Sequence, residues 1–207
     1  SSLFRGADVC PVTHLIRRTS SGGAAMSYVP PRPAAAPPAQ PRFGTVVFLD
    51  VDGVLHSLFG DDLFRESCCL VLEHVVRLTG ADIVLSSTWR AEAEKINMLN
   101  STLRHYGIPA VLDRTKELNT PRELEVCEWL ERHPEVSRWI VIDDMDLDSA
   151  PTPHAARLRG HFVRTDADIG LTWRDADIAL RLMQAQGGPP IPQAPDGGFA
   201  PPTPPLR

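Results

Sequence analysis

Three short apolar runs, each stopping abruptly at polar residues, constrain this chain more than any other feature. Thr45-Val46-Val47-Phe48-Leu49 stops at Asp50, Ile83-Val84-Leu85 at Ser86-Ser87-Thr88, and Trp139-Ile140-Val141-Ile142 at Asp143-Asp144. Continuous runs of this length, rich in β-branched residues, suit strands covered on both faces. The segments between them supply helices for that cover. From Leu63 to Leu78, apolar residues such as Phe64, Cys68, Val71 and Val75 recur at helical spacing, and Gly80 follows as a stop. Ile96, Leu99, Leu103 and Tyr106 mark a second helix before Gly107. Pro109 to Leu112 reads as a weak third strand, and His161 to Arg164 as a fifth. Thr120-Pro121 with Glu123 predicts a capping box opening a helix through Leu124, Cys127 and Leu130. Thr172 and Asp175 predict a second box for a last helix through Ile178 and Leu182. This alternation predicts an α/β fold, a five-stranded, mostly parallel, Rossmann-like sheet with helices on both faces.

The limits of that unit follow from proline. Of the 20 prolines, six crowd residues 30–41 and eight crowd residues 189–205, where no apolar periodicity is visible. Such stretches cannot bury enough surface to offset their ordering entropy. The expected organisation is a disordered Ala/Pro-rich extension over 1–42, a catalytic domain over 43–187 and a disordered Pro/Gly-rich tail over 188–207. Mean hydropathy is -0.14, and no apolar run approaches the roughly 20 residues of a membrane span. A net charge of -5 excludes a strongly basic nucleic-acid coat. The start of the chain lacks the apolar run of a secretory signal. The four cysteines, Cys10, Cys68, Cys69 and Cys127, have neither zinc-ligand nor redox-motif spacing. They read as reduced thiols, which suits a cytoplasmic location.

In a parallel sheet the ligand site lies beyond the carboxyl ends of the strands. There the sequence puts Asp50 and Asp52, Ser86 and Ser87, and Asp143 and Asp144, with Arg122 in the first turn of the helix before the fourth strand. Carboxylates converging on one point repel unless a hard cation joins them, and an all-oxygen donor set suits magnesium. A carboxylate beside such an ion can attack phosphorus. A second one two residues on, past a turn at Gly53, can serve as general acid and base. A strand-end hydroxyl and a cation at a helix N-terminus can hold phosphoryl oxygens. Ser86 and Ser87 are alternatives, since their side chains point to opposite faces, and Arg122 has an alternative in Lys116.

Val47-Phe48-Leu49-Asp50-Val51-Asp52-Gly53-Val54-Leu55 resembles motif I of the haloacid dehalogenase (HAD) superfamily. Ile83 to Ser87 resembles its motif II, and Ile140 to Asp144 its acidic motif IV. The pattern including Ser87-Thr88-Trp89 and Gly170-Leu171-Thr172 resembles the HAD domain of Swiss-army-knife RNA-repair proteins. The resemblance implies a magnesium-dependent phosphatase working through an aspartyl-phosphate. It implies Asp50 as nucleophile and metal ligand, and Asp52 as acid/base with its backbone carbonyl on the metal. Asp143 and Asp144 would complete the Mg2+ site, while Ser87 and Arg122 would bind substrate. The alternative is a catalytically idle HAD domain serving as a binding module. Neither motif interval has room for a cap, since even small domains need ~50 residues. An open site suits a phosphorylated macromolecule, a nucleic-acid end or a protein, with the basic cluster from His154 to Arg164 expected near the mouth. His56, Trp89, Trp173, Asp166 and Asp168 are expected to serve structure rather than the site.

Overall fold

The computed structural model describes residues 44–187, and both proline-rich extensions lie outside them. Five parallel strands form one sheet in the order β3-β2-β1-β4-β5. They are β1 (Thr45–Leu49), β2 (Asp82–Leu85), β3 (Asp113–Arg114), β4 (Arg138–Asp143) and β5 (Phe162–Arg164). The helices are α1 (Glu66–Thr79), α2 (Ala93–His105), α3 (Arg122–Arg132), α4 (Pro153–Leu158) and α5 (Trp173–Ala185). The expected α/β architecture is therefore present. The connections from β1 to α1 and from β3 to α3 are plain loops, so neither carries a cap.

The central strands are apolar throughout because both of their faces are covered. Alternate side chains divide between two cores. Val47, Leu49, Ile83, Leu85, Ile140 and Ile142 pack on one side with residues of α1, α2 and α5. Val46, Phe48, Val84, Trp139 and Val141 pack on the other with Val126, Trp129 and Leu130 of α3. Phe48 meets the Trp129 ring edge-on, with centroids 5.2 Å apart. The same alternation decides which strand-end residues share a face. Asp50, two residues past Phe48, belongs to the α3 side.

Three local expectations need correction. The third strand forms at Asp113–Arg114 rather than Pro109–Leu112, because pairing in register with β2 begins at Val84↔Asp113. The first predicted helix starts at Glu66, after Phe64 adopts a left-handed φ of 57°. The box at Thr120 does not form. Pro121 itself stands at the N-cap of α3, and no side chain caps the helix. Buried Glu125 accepts the Leu118 N–H, and Asn119 turns through a φ of 53°, so the chain enters one residue later than the box requires. By contrast, α4 was not anticipated from periodicity, yet Thr152 accepts the Ala155 N–H ahead of Pro153. The box of Thr172 and Asp175 is complete.

These differences set a paired test. Thr172→Ala is expected to cost about 1 kcal/mol, whereas Thr120→Ala stays within about 0.5 kcal/mol of wild type. Chemical denaturation of both variants measures the contrast.

Candidate active site

Parallel register assembles the site. Leu49 pairs with Leu85 and with Ile142, so the next residues, Asp50, Ser86 and Asp143, stand level on three adjacent strands and on the α3 face. The ladder continues one step beyond the strands: the Asp50 N–H donates to the Ile142 carbonyl at 3.0 Å and the Ser86 N–H to the Leu49 carbonyl at 3.0 Å. The first turn of α3 brings Arg122 over this row. Its Nη1 lies 2.6 Å from Asp50 Oδ2 and 2.5 Å from Asp143 Oδ2, so one guanidinium bridges the two carboxylates. Of the two candidate cations it is therefore Arg122 that reaches the row. Exposed Lys116 pairs instead with half-buried Glu128 at 2.8 Å.

Asp144 completes the cluster, and carboxylate oxygens of Asp50, Asp143 and Asp144 lie within 4.8 Å of one another. Gly53 makes its approach possible. A Cβ at Gly53 would stand 2.7 Å from Asp144 Cγ, and its φ is 70°, so any larger residue would be both strained and in collision. Three hard oxygen donors on one point are a fit for a divalent cation such as magnesium. The Asp52 carboxylate is not among them. It accepts from His56 Nε2 at 3.0 Å and from Trp89 Nε1 at 2.9 Å, so a metal role for Asp52 rests on its backbone carbonyl.

His56 and Trp89, which the sequence reading assigns to structure, both reach the Asp52 carboxylate. His56 is buried between Phe64 and Trp89, with ring centroids 5.7 and 5.9 Å away. Where Asp52 accepts this bond, Nε2 carries the ring proton. Both oxygens of Asp52 are thereby held, and its rotamer is set before any substrate arrives. The visible signal was the four-residue spacing from Asp52 to His56, which a backbone bridge between them closes.

The two serines divide as their alternation requires. Ser87 Oγ accepts the Trp89 N–H at 3.3 Å and caps the 3-10 turn Thr88–Ala91. Ser86 Oγ, level with Asp50, is buried and has no partner. Arg90 donates to both serine carbonyls and to Glu125 at 2.6 Å, tying the end of β2 to α3. The remaining candidates stand apart from the cluster. Asp166 accepts backbone N–H groups in its own turn, including that of Asp168, and Trp173 packs on His74. The basic cluster is divided: Arg159 donates to the Asp148 carbonyl in the loop after β4, while other members lie elsewhere. His161 stacks on Trp139 at the entry to β4, and Arg157 pairs with Glu131. Arg164 reaches the strand-exit edge, but there it pairs with Asp146.

A pattern of residues matched by register, charge and burial in this way has a family counterpart. The model for the HAD domain in Swiss Army Knife RNA repair proteins matches residues 46–176. The chain belongs to this family, and so to the HAD superfamily. No curated protein and no solved structure matches it. The match spans Asp50 through Asp144 and ends within α5, so it covers every strand of this HAD fold.

Electrostatics follow from the crowding. Burial pushes the Asp143 carboxyl up from its ordinary 3.8 to about 7, and the adjacent Asp50 adds to the shift against the pull of Arg122. Asp144 moves the same way, first by burial and then by Asp50. Burial opposes the charge on Arg122, but Asp50 and Asp143 more than offset it and hold its pKa above the usual arginine value. The raised Asp143 pKa means that ionising it destabilises the metal-free fold, an effect that sets in above 3.8 and is complete above about 7. A bound cation reverses the balance, because it requires the carboxylate. Magnesium affinity is therefore expected to fall as pH drops below about 7, approaching tenfold per unit, with proton release on binding. Calorimetric titrations in buffers of different ionisation enthalpy measure both.

Proposed function

We propose that this HAD domain is a magnesium-dependent phosphatase acting through an aspartyl-phosphate, on a phosphate carried by a macromolecule. The observation that carries the reading is the convergence of Asp50, Asp143 and Asp144 under a single bridging arginine. Asp50, Asp143, Asp144 and the Asp52 carbonyl would hold Mg2+, which when bound supplies positive charge to the phosphoryl oxygens.

In the first step, an oxygen of Asp50 attacks phosphorus. The bond from phosphorus to the leaving oxygen breaks, and that oxygen takes a proton from Asp52. In the second step, Asp52 accepts a proton from water as the water oxygen attacks phosphorus. The bond from phosphorus to Asp50 breaks and inorganic phosphate leaves. Arg122 neutralises Asp50 in the resting site and faces the phosphoryl oxygens during transfer. The hydroxyl assigned to the phosphoryl group moves from Ser87 to Ser86, because Ser87 Oγ is engaged as a cap and Ser86 Oγ is level with Asp50 without a partner. The absence of a cap leaves the site open to phosphates that a lid would exclude. Two held carboxylates, Asp50 and Asp52, are parts that an idle binding domain has no need of. Among the described residues no helix is long and apolar enough to cross a membrane. Cys68, Cys69 and Cys127 are free and buried, which supports placing the protein in a reducing cytoplasm.

Asp50→Asn is expected to abolish turnover of a phosphomonoester, because an amide cannot form the acyl phosphate, and chelation by EDTA is expected to be reversed by added magnesium. Wild-type rates in Asp50→Asn, or in the wild type while EDTA holds the magnesium, would overturn the mechanism. Trp89→Phe keeps the ring but removes the donor to Asp52. It is expected to lower kcat roughly 10- to 100-fold with little change in KM, the scale of a hydrogen bond to a charged group. Steady-state kinetics alongside a melting curve separates this from loss of fold.

A further inference from the structure

The two flanks of the strand-exit edge differ in charge. The loops after β1, β4 and β5 carry Asp61, Asp62, Asp146, Asp148, Asp166 and Asp168. Their cations are spent: Arg65 donates to the carbonyls of Asp168 and Ile169, and Arg164 pairs with Asp146. A polyanion is repelled from that side. On the opposite flank, beyond β2, lies a cavity of about 590 Å³ lined by Arg90, Arg114, Lys116 and Arg132 together with Asp113 and Glu117; Glu125 and Glu128 balance three of these cations, and Arg114 is the one without an ion pair among the described residues. The cavity volume falls within the roughly 300–1,000 Å³ of small-ligand sites.

This cavity adjoins the reacting row. The Thr115 N–H donates to the Leu85 carbonyl at 3.0 Å, so the row Asp143, Asp50, Ser86 continues to Thr115. Strand spacing puts Thr115 roughly 10 Å from Asp50. Thr115 also lines the cavity; it is buried, and its hydroxyl has no partner. The cations are positioned in advance. Glu128 holds both Lys116 and Arg132, so one carboxylate serves two positive charges. Glu125 holds Arg90. Arg114 donates to the Arg90 carbonyl and forms no ion pair among the described residues.

We propose that this cavity is a second anion subsite, which takes a backbone phosphodiester of a single-stranded nucleic acid whose terminal phosphate lies at Asp50. The strand then leaves over β2 and β3, away from the acidic loops. Only the position of the strand's end rests on the phosphatase reading above; the subsite itself is a binding claim. Contacts of this kind are charge-assisted and salt-dependent, with a slope in log affinity of about -0.7 per phosphate on a single strand.

The test uses the full chain with magnesium and three substrates that share one terminal phosphate: a mononucleotide, a nucleoside bisphosphate and a short single-stranded RNA. The RNA is expected to have the highest kcat/KM. Arg114→Ala and Lys116→Ala are each expected to raise KM for the RNA roughly tenfold and to reduce its salt slope by about 0.7. Arg104→Ala, the same charge change on the exposed face of α2, is expected to move neither. Equal efficiency on RNA and mononucleotide would sink the proposal, as would variants with unchanged KM and slope. A bisphosphate as good as the RNA would overturn the strand and leave a small-molecule subsite in its place. If no substrate turns over, the phosphatase reading fails by itself. Fluorescence anisotropy of a labelled RNA without terminal phosphate then decides the subsite: binding weakened by both groove variants and not by Arg104→Ala supports it, and binding indifferent to them refutes it.

Discussion

Repulsion among buried carboxylates is the constraint on which the site depends. Asp50 and Asp143 stand on adjacent strands at one level, both almost wholly buried, and burial there raises the cost of each negative charge. The Arg122 guanidinium, reaching both, is what makes the arrangement tolerable in the absence of a cation. Removing one partner from such a buried set leaves an uncompensated charge, which is far more costly than losing an exposed pair. The position of α3 is tied to this requirement. Its first turn brings Arg122 to the row and places Glu125 on Arg90, which in turn holds the end of β2. A hydrophobic contact at the far end, Trp129 against Phe48, fixes the other end of the same helix to the core.

Asp52, the proposed acid/base, is handled differently. Asp52 has a side chain about one third exposed, and no arginine reaches it. Two ring groups hold it instead, His56 from its own loop and Trp89 from the turn after β2. The two carboxylates of one motif thus receive opposite environments, consistent with the different roles proposed for them.

Charge around the rim adds a direction to the site. The acidic loops over β1, β4 and β5 and the cationic cavity beyond β3 lie on opposite sides of the same row. An open HAD site without a cap has no lid to select its substrate, and the proposed subsite assigns that selection to the flanks.

Much of this was legible in the order of residues. The α/β alternation, a mostly parallel sheet, Asp50, Asp143 and Asp144 at strand ends and the cap at Thr172 all follow from patterns a few residues long, because burial on two faces and helix capping are local demands. The Thr-Pro pairs show where local reasoning ends. Thr152-Pro153 opens α4 as such a pair should, while Thr120-Pro121 does not cap α3, because a buried Glu125 from the helix itself takes the preceding loop. Ser86 against Ser87 turned on strand register, and Arg122 against Lys116 on which helix turn meets the row. His56 and Trp89 lie 33 residues apart in the chain, and their union on Asp52 is made by the fold. The sequence by itself determined which residues could bear charge at the ends of buried strands. Only the tertiary structure decided which of them meet, because register, helix entry and distance between loops are set by packing across the whole sheet and by no single segment.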